Sequence, residues 1–300
     1  LNAHKGTFGK LLIVAGSTNY TGAAALSAIS AIRAGAGLVT LAMPSSLHAA
    51  IVPFVPEATY LLLPHTLGVI NFNAAPLVRK EMGNRSAMLI GPGLNNTPES
   101  KSFLKAFFQP PKEKRSAGFL VNHNQSTPAD AEPTELPPLV IDADGLNLLS
   151  ELPDWPALCP PGTILTPHPG EMARLTDLAI GEIQKNRVKI AQQYASEWGH
   201  VVVLKGAFTV IAAPDGRTAL LPFANPALSS AGTGDELAGA IVALRAQGLD
   251  AFEAAATGGY LHGLAGEIAR DRQSVAGVAA RDVAAALPQA WRNITRQTRS

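Results

Sequence analysis

Short apolar runs alternate with helical patterns along most of the chain. The runs lie at residues 10–15, 38–42, 87–90, 138–141, 163–165 and 200–204, and Gly, Pro or polar residues soon follow each of them. Apolar residues recur at helical spacing in the segments 21–33, 236–247 and 252–269. Continuous apolar strands between helices are typical of a sheet that is buried on both faces. The pattern therefore predicts an α/β fold with a mostly parallel central sheet flanked by helices.

Three further segments complete this organisation. Residues 208–212 and 218–221 flank a Pro-Asp-Gly turn, which predicts a hairpin. Residues 109–137 hold clustered prolines and charges. We interpret them as a mobile surface insertion rather than a domain linker, because the strand pattern resumes directly afterwards. Residues 291–300 are polar and basic, which predicts a frayed tail. We expect residues 1–290 to form a single domain.

Composition narrows the functional classes. Of the 300 residues, 47% are hydrophobic, enough for a sizeable core, and the net charge of +1 provides no basic field for nucleic acid or an anionic membrane. The single cysteine, Cys159, excludes an internal disulfide and is interpreted as a packed thiol. No apolar run reaches the roughly 18 residues that span a bilayer, and no signal peptide is recognised. We therefore expect a cytoplasmic protein.

The carboxyl ends of the predicted strands are rich in glycine and polar side chains. In open α/β sheets this edge holds the ligand site. The ends carry residues 16–17, 91–93, 142–144, 166–171 and 205–206. Each one alone is consistent with a tight turn, but together they predict one shared crevice.

The segment 229–235 reads Ser-Ser-Ala-Gly-Thr-Gly-Asp and opens the helix predicted at 236–247. A glycine-rich turn at a helix N-terminus exposes backbone N–H groups to an anion, and the helix dipole adds to the attraction. Asp235 therefore has two interpretations. It caps the helix, or it accepts a proton from a hydroxyl that attacks a phosphoryl group.

His168 and Glu171 are close enough in sequence for a helical metal site. Pro167, Pro169 and Gly170 are expected to forbid a helix there, which would exclude a helical zinc site. His168 alone is also consistent with a structural loop histidine. The remaining histidines form no ligand-spaced set.

These motifs, in this order, resemble the ADP-dependent NAD(P)H-hydrate dehydratase family of the ribokinase-like superfamily. The resemblance covers residues 4–288 apart from the insertion. It rests on the segments 4–9, 20–23, 33–39, 90–94, 141–144, 165–171, 204–207, 232–235 and 260–263. It implies a ribokinase-like three-layer α/β/α fold. In that family the domain occurs alone or as the C-terminal half of a bifunctional enzyme with an epimerase, and Leu1 as first residue is compatible with an upstream epimerase domain.

The resemblance implies that ADP phosphorylates the ring hydroxyl of a hydrated nicotinamide nucleotide, after which AMP and phosphate leave and NAD(P)H is restored. By motif, Asp235 would activate the hydroxyl and would contact the hydrate together with Ala23, Gly93 and His168. Glu171 would help to hold Mg²⁺ through water. The resemblance also leads us to expect a homo-oligomer.

The same resemblance assigns a nucleotide site and an anion hole. The residues that would line the site for ADP or AMP are Lys205, Gly206, Ala207, Phe208, Thr209 and Gly234. The backbone of Gly232, Thr233 and Gly234 would form the anion hole for the transferring phosphoryl group.

Three positions depart from the family pattern. Ala231 replaces a glycine, and Asn95 replaces a glycine at which the backbone approaches the substrate. Glu236 replaces a valine, and we expect it to add a negative charge near the phosphate site that would weaken nucleotide binding. None of these changes removes a catalytic group.

Two other functions remain open from the sequence. A small-molecule alcohol kinase of the same superfamily, of the thiazole or hydroxymethylpyrimidine type, also carries Gly-x-Gly-Asp, although residues 4–9 and 166–171 favour the dehydratase. A non-catalytic nucleotide-binding relative is disfavoured because Asp235, Lys205 and His168 are intact.

Overall fold

The computed structural model describes residues 6–110 and 135–297. Most of the predicted insertion at 109–137 lies outside these residues. Within them, the chain forms a sheet of nine strands and a separate two-stranded hairpin. The strands are β1 (Lys10–Val14), β2 (Leu38–Pro44), β3 (Thr59–Leu63), β4 (His65–Thr66), β5 (Val69–Ile70), β6 (Ala87–Ile90), β7 (Leu139–Ile141), β8 (Ile164–Leu165), β9 (Val201–Leu204), β10 (Val210–Ala212) and β11 (Thr218–Leu220).

The nine-stranded sheet has the order β11-β10-β9-β8-β7-β6-β1-β2-β3. All neighbours from β9 to β3 are parallel, while β10 pairs antiparallel with both β9 and β11. The separate hairpin is β4 with β5. The mostly parallel sheet and the hairpin formed by β10 and β11 confirm the sequence-based predictions.

Helices cover both faces of the sheet. They are α1 (Thr21–Arg33), α2 (His48–Ile51), α3 (Ala74–Met82), α4 (Pro98–Phe108), α5 (Asp144–Leu149), α6 (Trp155–Leu158), α7 (Pro169–Thr176), α8 (Ile180–Lys185), α9 (Arg187–Trp198), α10 (Thr233–Ala246), α11 (Ala251–Gln273) and α12 (Ala280–Gln297). Along β1, Leu11 and Ile13 point into the core under α1, α10, α11 and α12, whereas Leu12 and Val14 point into the core under α3, α4 and α9. This alternation follows from the two-residue repeat of a strand and gives the three-layer α/β/α arrangement.

Two expectations about local structure are wrong. The last helix, α12, continues to Gln297, so residues 291–297 are helical rather than a frayed tail. Trp291 and Ile294 pack against the core, which explains why this basic segment is ordered.

A helix also begins at Pro169, where prolines were expected to forbid one. Proline is tolerated in the first turn, where its missing N–H has no intrahelical partner to lose.

Among the described residues, no helix combines the length and the apolar character that crossing a membrane requires.

Candidate active site

The loops that leave β9, β8, β7, β6 and β1 meet at one edge of the sheet. These strands are consecutive in the sheet and parallel, so their carboxyl ends lie side by side. The structure thus brings together the strand ends that the sequence predicts to share a crevice.

Lys205, at the end of β9, is the central cation of this edge. Its Nζ lies 2.6 Å from Asp142 Oδ1 and 3.6 Å from Glu171 Oε2. Asp142 is 1% exposed and also accepts a hydrogen bond from Thr166 Oγ1 at 2.7 Å. Burial alone would lower the pKa of Lys205, but the neighbouring carboxylates outweigh burial and raise it. Lys205 therefore stays charged although its side chain is only 16% exposed.

His168 and Glu171 form the start of α7. The backbone N–H groups of Gly170 and Glu171 donate to His168 Nδ1, at 2.9 and 3.2 Å, and the His168 N–H donates to Glu171 Oε2 at 2.7 Å. This reciprocal pattern is a capping box with histidine in the capping position. Because Nδ1 accepts hydrogen bonds, the neutral ring carries its proton on Nε2. Burial, followed by the charge of Lys205, lowers the pKa of His168 and favours that neutral form.

The turn between β7 and α5 carries two aspartates in an unusual backbone. Ala143 between them has a φ of +51°, a region that residues other than glycine rarely occupy. Asp144 Oδ2 accepts a hydrogen bond of 2.8 Å from the backbone N–H of Asn95. Asn95 itself has a φ of +68°, which asparagine tolerates better than other side chains. The replacement of the family's glycine by Asn95 is thus compatible with the backbone.

Asp235 lies in the first turn of α10 but does not cap that helix. The capping position is Gly232, with a φ of +90°, and no side-chain hydrogen bond caps the helix. Burial raises the pKa of Asp235 to about 7, and the charge of Asp142 adds to this effect while Lys205 opposes it. Of the two interpretations that the sequence left open, the helix cap is therefore not the one observed.

A cavity of about 580 Å³ lies along the start of α10 and along α11, and Asp235 is not among the residues that line it. The predicted site residues that line it are His168, Lys205, Gly206, Ala207, Thr209, Thr233 and Gly234. Phe208 does not line it, because its side chain is half exposed on the outside of a turn where its φ is +51°. All residues of the predicted adenylate site and anion hole except Phe208 and Gly232 therefore line the same cavity.

Ala23 and Gly93 meet each other but do not line this cavity. A Cβ atom added to Gly93 would lie 2.8 Å from the side chain of Ala23 and 2.8 Å from that of Tyr20. Only glycine fits at this contact, and its φ of +63° also favours glycine. Gly232 in turn packs against Leu26, one helical turn after Ala23. The Gly232–Asp235 turn thus borders the cavity through Thr233 and Gly234 and contacts α1 through Gly232.

Glu236 is not a charge beside the anion hole, contrary to the expectation from the sequence. Its side chain is fully buried, and neither carboxylate oxygen has a hydrogen-bond partner among the described residues. Burial, reinforced by the charge of Asp235, raises the pKa of Glu236 to about 9. At neutral pH the carboxyl group is therefore protonated and uncharged.

The substitution Glu236→Gln is expected to stabilise the protein increasingly as pH rises from about 4.5 to about 9. The folded protein retains the Glu236 proton over this interval, whereas an unfolded glutamate releases it, so the parent loses stability with rising pH. The gain at pH 7 should be on the order of 3 kcal/mol. Urea unfolding at pH 5, 7 and 8.5 measures it, and a gain independent of pH would contradict a buried proton at Glu236.

Sequence reasoning assigned no individual role to Asp142, which the structure identifies as the nearest ion-pair partner of Lys205. Its position directly after a buried strand is the signal that was available. The sequence alone does not show that Asp142 contacts Lys205, because Lys205 lies 63 residues further along the chain.

A family model for NAD(P)H-hydrate dehydratase matches residues 11–289. The bifunctional NAD(P)H-hydrate repair enzyme Nnr of Moorella thermoacetica is 37% identical over 296 residues, which cover 98% of this chain and 51% of that protein. The ADP-dependent (S)-NAD(P)H-hydrate dehydratase of Bacillus subtilis is 34% identical over 290 residues, covering 97% of this chain and 91% of the relative. The chain thus spans about half the length of the Moorella relative.

Solved structures show the same arrangement. The Bacillus subtilis ADP/ATP-dependent NAD(P)H-hydrate dehydratase, co-crystallised with ATP/Mg²⁺, has a TM-score of 0.75 and 31% identity, covering 97% of this chain and 92% of that one. A ribokinase-like superfamily protein of Enterococcus faecalis has a TM-score of 0.75 and 25% identity, covering 96% and 88%. The fold and the glycine-rich start of α10 thus define a ribokinase-like α/β protein, as the sequence predicts. Within that class, the chain belongs to the NAD(P)H-hydrate dehydratase family.

Proposed function

We propose that the chain catalyses the ADP-dependent dehydration of (6S)-NAD(P)H hydrate, restoring NAD(P)H and releasing AMP and phosphate. The observation that carries the proposal is Asp235, a partly buried carboxyl in the first turn of α10 with a pKa raised to about 7. A general base works best when its pKa lies near the working pH. Family membership supplies the substrate class.

The first step is phosphoryl transfer. Asp235 accepts the proton of the ring hydroxyl while that oxygen bonds to the β-phosphorus of ADP and the bond to AMP breaks. The backbone N–H groups of Gly232 and Gly234 and the ammonium of Lys205 stabilise the charge that develops on the phosphoryl oxygens, whereas the N–H of Thr233 donates to Ser230 O at 3.4 Å. A Cβ added to Gly234 would lie 3.6 Å from Lys205 Nζ, which supports placing both groups on the same anion.

The second step is elimination. The phosphorylated carbon is bonded to the ring nitrogen, whose lone pair expels phosphate, and loss of a proton from the adjacent carbon restores the double bond. The chain's contribution is to hold this geometry and to bind the leaving phosphate. His168 Nε2 lies 3.4 Å from Glu171 Oε1, and its N–H is the ring donor that remains for the bound hydrate, since Nδ1 is occupied by the cap of α7.

The residues at this edge fit Mg²⁺ held through water. Among the described residues, no group of three or more His, Cys, Asp or Glu side chains could hold a metal ion directly. Asp142 Oδ2 is buried with no partner in the described chain, and carboxylate oxygens are the ligands that Mg²⁺ prefers. Glu171 and Asp142 would hold the ion, which when bound would neutralise charge on the nucleotide phosphates.

Arg187, the first residue of α9, holds the turn that carries Lys205. Its Nη2 donates to the backbone oxygens of Leu204 and Lys205 at 2.7 and 3.3 Å, and its Nη1 donates to Gln184 Oε1 at 2.9 Å. A Cβ on Gly206 would lie 3.1 Å from the same guanidinium. We infer that Arg187 fixes the Lys205–Gly206 turn along the nucleotide cavity.

The variant Arg187→Met is expected to raise the KM for ADP about tenfold, because the hydrogen bonds that a charged donor makes to this turn are lost. The kcat should change less, since Asp235 is untouched. Steady-state kinetics at varied ADP measures both constants. Arg217→Met is the matched control, because Arg217 pairs with Asp215 and Asp250 at the exposed hairpin. Equal KM values for Arg187→Met and the parent would contradict the role.

The test of the proposed function is the return of NADH absorbance from NADH hydrate on addition of ADP, with hydrate alone as control. An alcohol kinase would leave NADH hydrate unchanged and would convert a thiazole alcohol and ATP into a stable phosphate ester. A non-catalytic relative would bind ADP without turnover.

Because the Moorella relative is bifunctional, we also propose that the chain works beside an NAD(P)H-hydrate epimerase.

A further inference from the structure

Asn225, a residue that lines the cavity, has an unused and buried hydrogen-bond donor. The residue is 9% exposed and lines the cavity between β11 and α10. Its Oδ1 accepts a hydrogen bond of 3.0 Å from the backbone N–H of Ala227. Its Nδ2 is buried and has no partner among the described residues. A buried amide donor without a partner is unfavourable, so it calls for an explanation.

The orientation of this amide follows from its one hydrogen bond. The N–H of Ala227 requires an acceptor, and only the side-chain oxygen of Asn225 can accept. The NH₂ group must therefore occupy the other side of the amide, where it can only donate. A partner in the cavity must accordingly present an acceptor atom.

Other polar side chains of the wall have already used their donors. The hydroxyl of Thr209 donates to Gly206 O at 2.9 Å, that of Ser230 to Val278 O at 2.8 Å, and that of Thr233 to Leu228 O at 2.7 Å. Among the buried polar atoms of this wall, the other one without a partner among the described residues is Nε2 of His262, which is 6% exposed. Burial lowers the pKa of His262 to about 4, so the ring is neutral. The unsatisfied polar atoms of this wall are thus neutral, which suits an uncharged part of a ligand.

Asn225 lies in the apolar part of the cavity. On either side of it in sequence, Phe223 packs against Gly263 and Leu228 packs against Gly266, both on α11. His262 is next to Gly263 in sequence, and both His262 and Asn225 line the cavity where this segment packs on α11. The anion hole at 232–234 and Lys205 supply their own donors to phosphate. Apolar side chains beside a neutral donor are suited to a heteroaromatic base or a ribose.

We propose that Asn225 Nδ2 donates a hydrogen bond to the nucleoside part of the bound nucleotide and so helps to select it. The proposal rests on the proposed function, since it presumes that ADP occupies the cavity. Asn225 is then a binding residue that neither the sequence motifs nor the family resemblance had singled out.

The test compares Asn225→Ser with Asn225→Ala. Serine retains an oxygen that can cap the N–H of Ala227 but lacks the amide donor, whereas alanine lacks both. Calorimetric titration with ADP should give a Kd about 5- to 50-fold higher than the parent for both variants. Titration with inorganic pyrophosphate should give the parent's Kd, because the phosphate contacts are intact. In turnover assays the KM for ADP should rise by a similar factor with kcat little changed.

The outcomes separate this proposal from the proposed function. Parent-like ADP binding by Asn225→Ser together with weak binding by Asn225→Ala would show that Asn225 acts only as a cap, and would overturn the proposal. Equal losses for ADP and pyrophosphate would overturn the placement on the nucleoside. Failure of the unmutated chain to bind ADP would overturn the proposed function as well. Melting temperatures within a few degrees of the parent confirm that the serine variant is folded.

Discussion

Asp235→Asn is expected to fold like the parent and to lose about 10²- to 10⁴-fold of its turnover. The substitution keeps the size of the side chain and removes only its capacity to accept a proton. Asp235 makes no capping hydrogen bond in α10, so the helix loses no partner. The measurement is kcat for NADH formation from NADH hydrate and ADP, with the melting temperature as control for folding. A variant that retains more than half of the parent's activity would remove Asp235 from its role as base.

The pH profile of the parent gives an independent check on the same residue. Because burial raises the pKa of Asp235 to about 7, kcat/KM should rise with pH up to about 7 and then level off as the carboxyl becomes ionised.

Lys205→Met is expected to lower the free energy of unfolding by about 3–5 kcal/mol and to abolish turnover. The ammonium is the cation closest to Asp142, whose side chain is 1% exposed, and its removal leaves that carboxylate buried with only the Thr166 hydroxyl as partner. Removing one member of a buried ion pair costs far more than the pair contributes, because the remaining charge is unpaired. Urea unfolding at neutral pH measures the loss.

The double variant Lys205→Met, Asp142→Asn separates stability from catalysis. Replacing Asp142 with a neutral amide removes the unpaired charge, so a large part of the stability should return while turnover stays absent. A single variant Lys205→Met as stable as the parent would contradict the importance of this ion pair, and a double variant that regains turnover would exclude Lys205 from phosphoryl transfer.

The sequence predicts the sheet well because its strands are buried on both faces. The runs that became β1, β2, β6 and β9 are continuous and apolar, a signal that does not depend on distant contacts. The edge strand β3, Thr59–Leu63, was not predicted, since it is partly exposed and lacks that signal. The start of α7 was missed because the rule that proline breaks helices applies to helix interiors and not to Pro169 in the first turn.

The site could be predicted only where a motif carries its own geometry. The anion hole could be predicted because the glycine-rich turn before α10 is a local motif. The role of Asp142 could not, because it depends on Lys205, which directly follows β9. Glu236 shows the limit most clearly. Its position beside Asp235 in sequence suggested a neighbouring charge, but successive helical residues point in directions about 100° apart, so its side chain is buried beneath the helix.

The central claim is that the phosphoryl group of ADP leaves as free phosphate when the nicotinamide ring is restored. It is tested most directly by supplying NADH hydrate with ADP labelled in its β-phosphate and measuring NADH, AMP and labelled phosphate in one reaction. We expect equal molar amounts of NADH, AMP and free labelled phosphate. Label that persists in a phosphorylated organic product, without the return of NADH absorbance, would contradict the dehydratase function and favour an alcohol kinase.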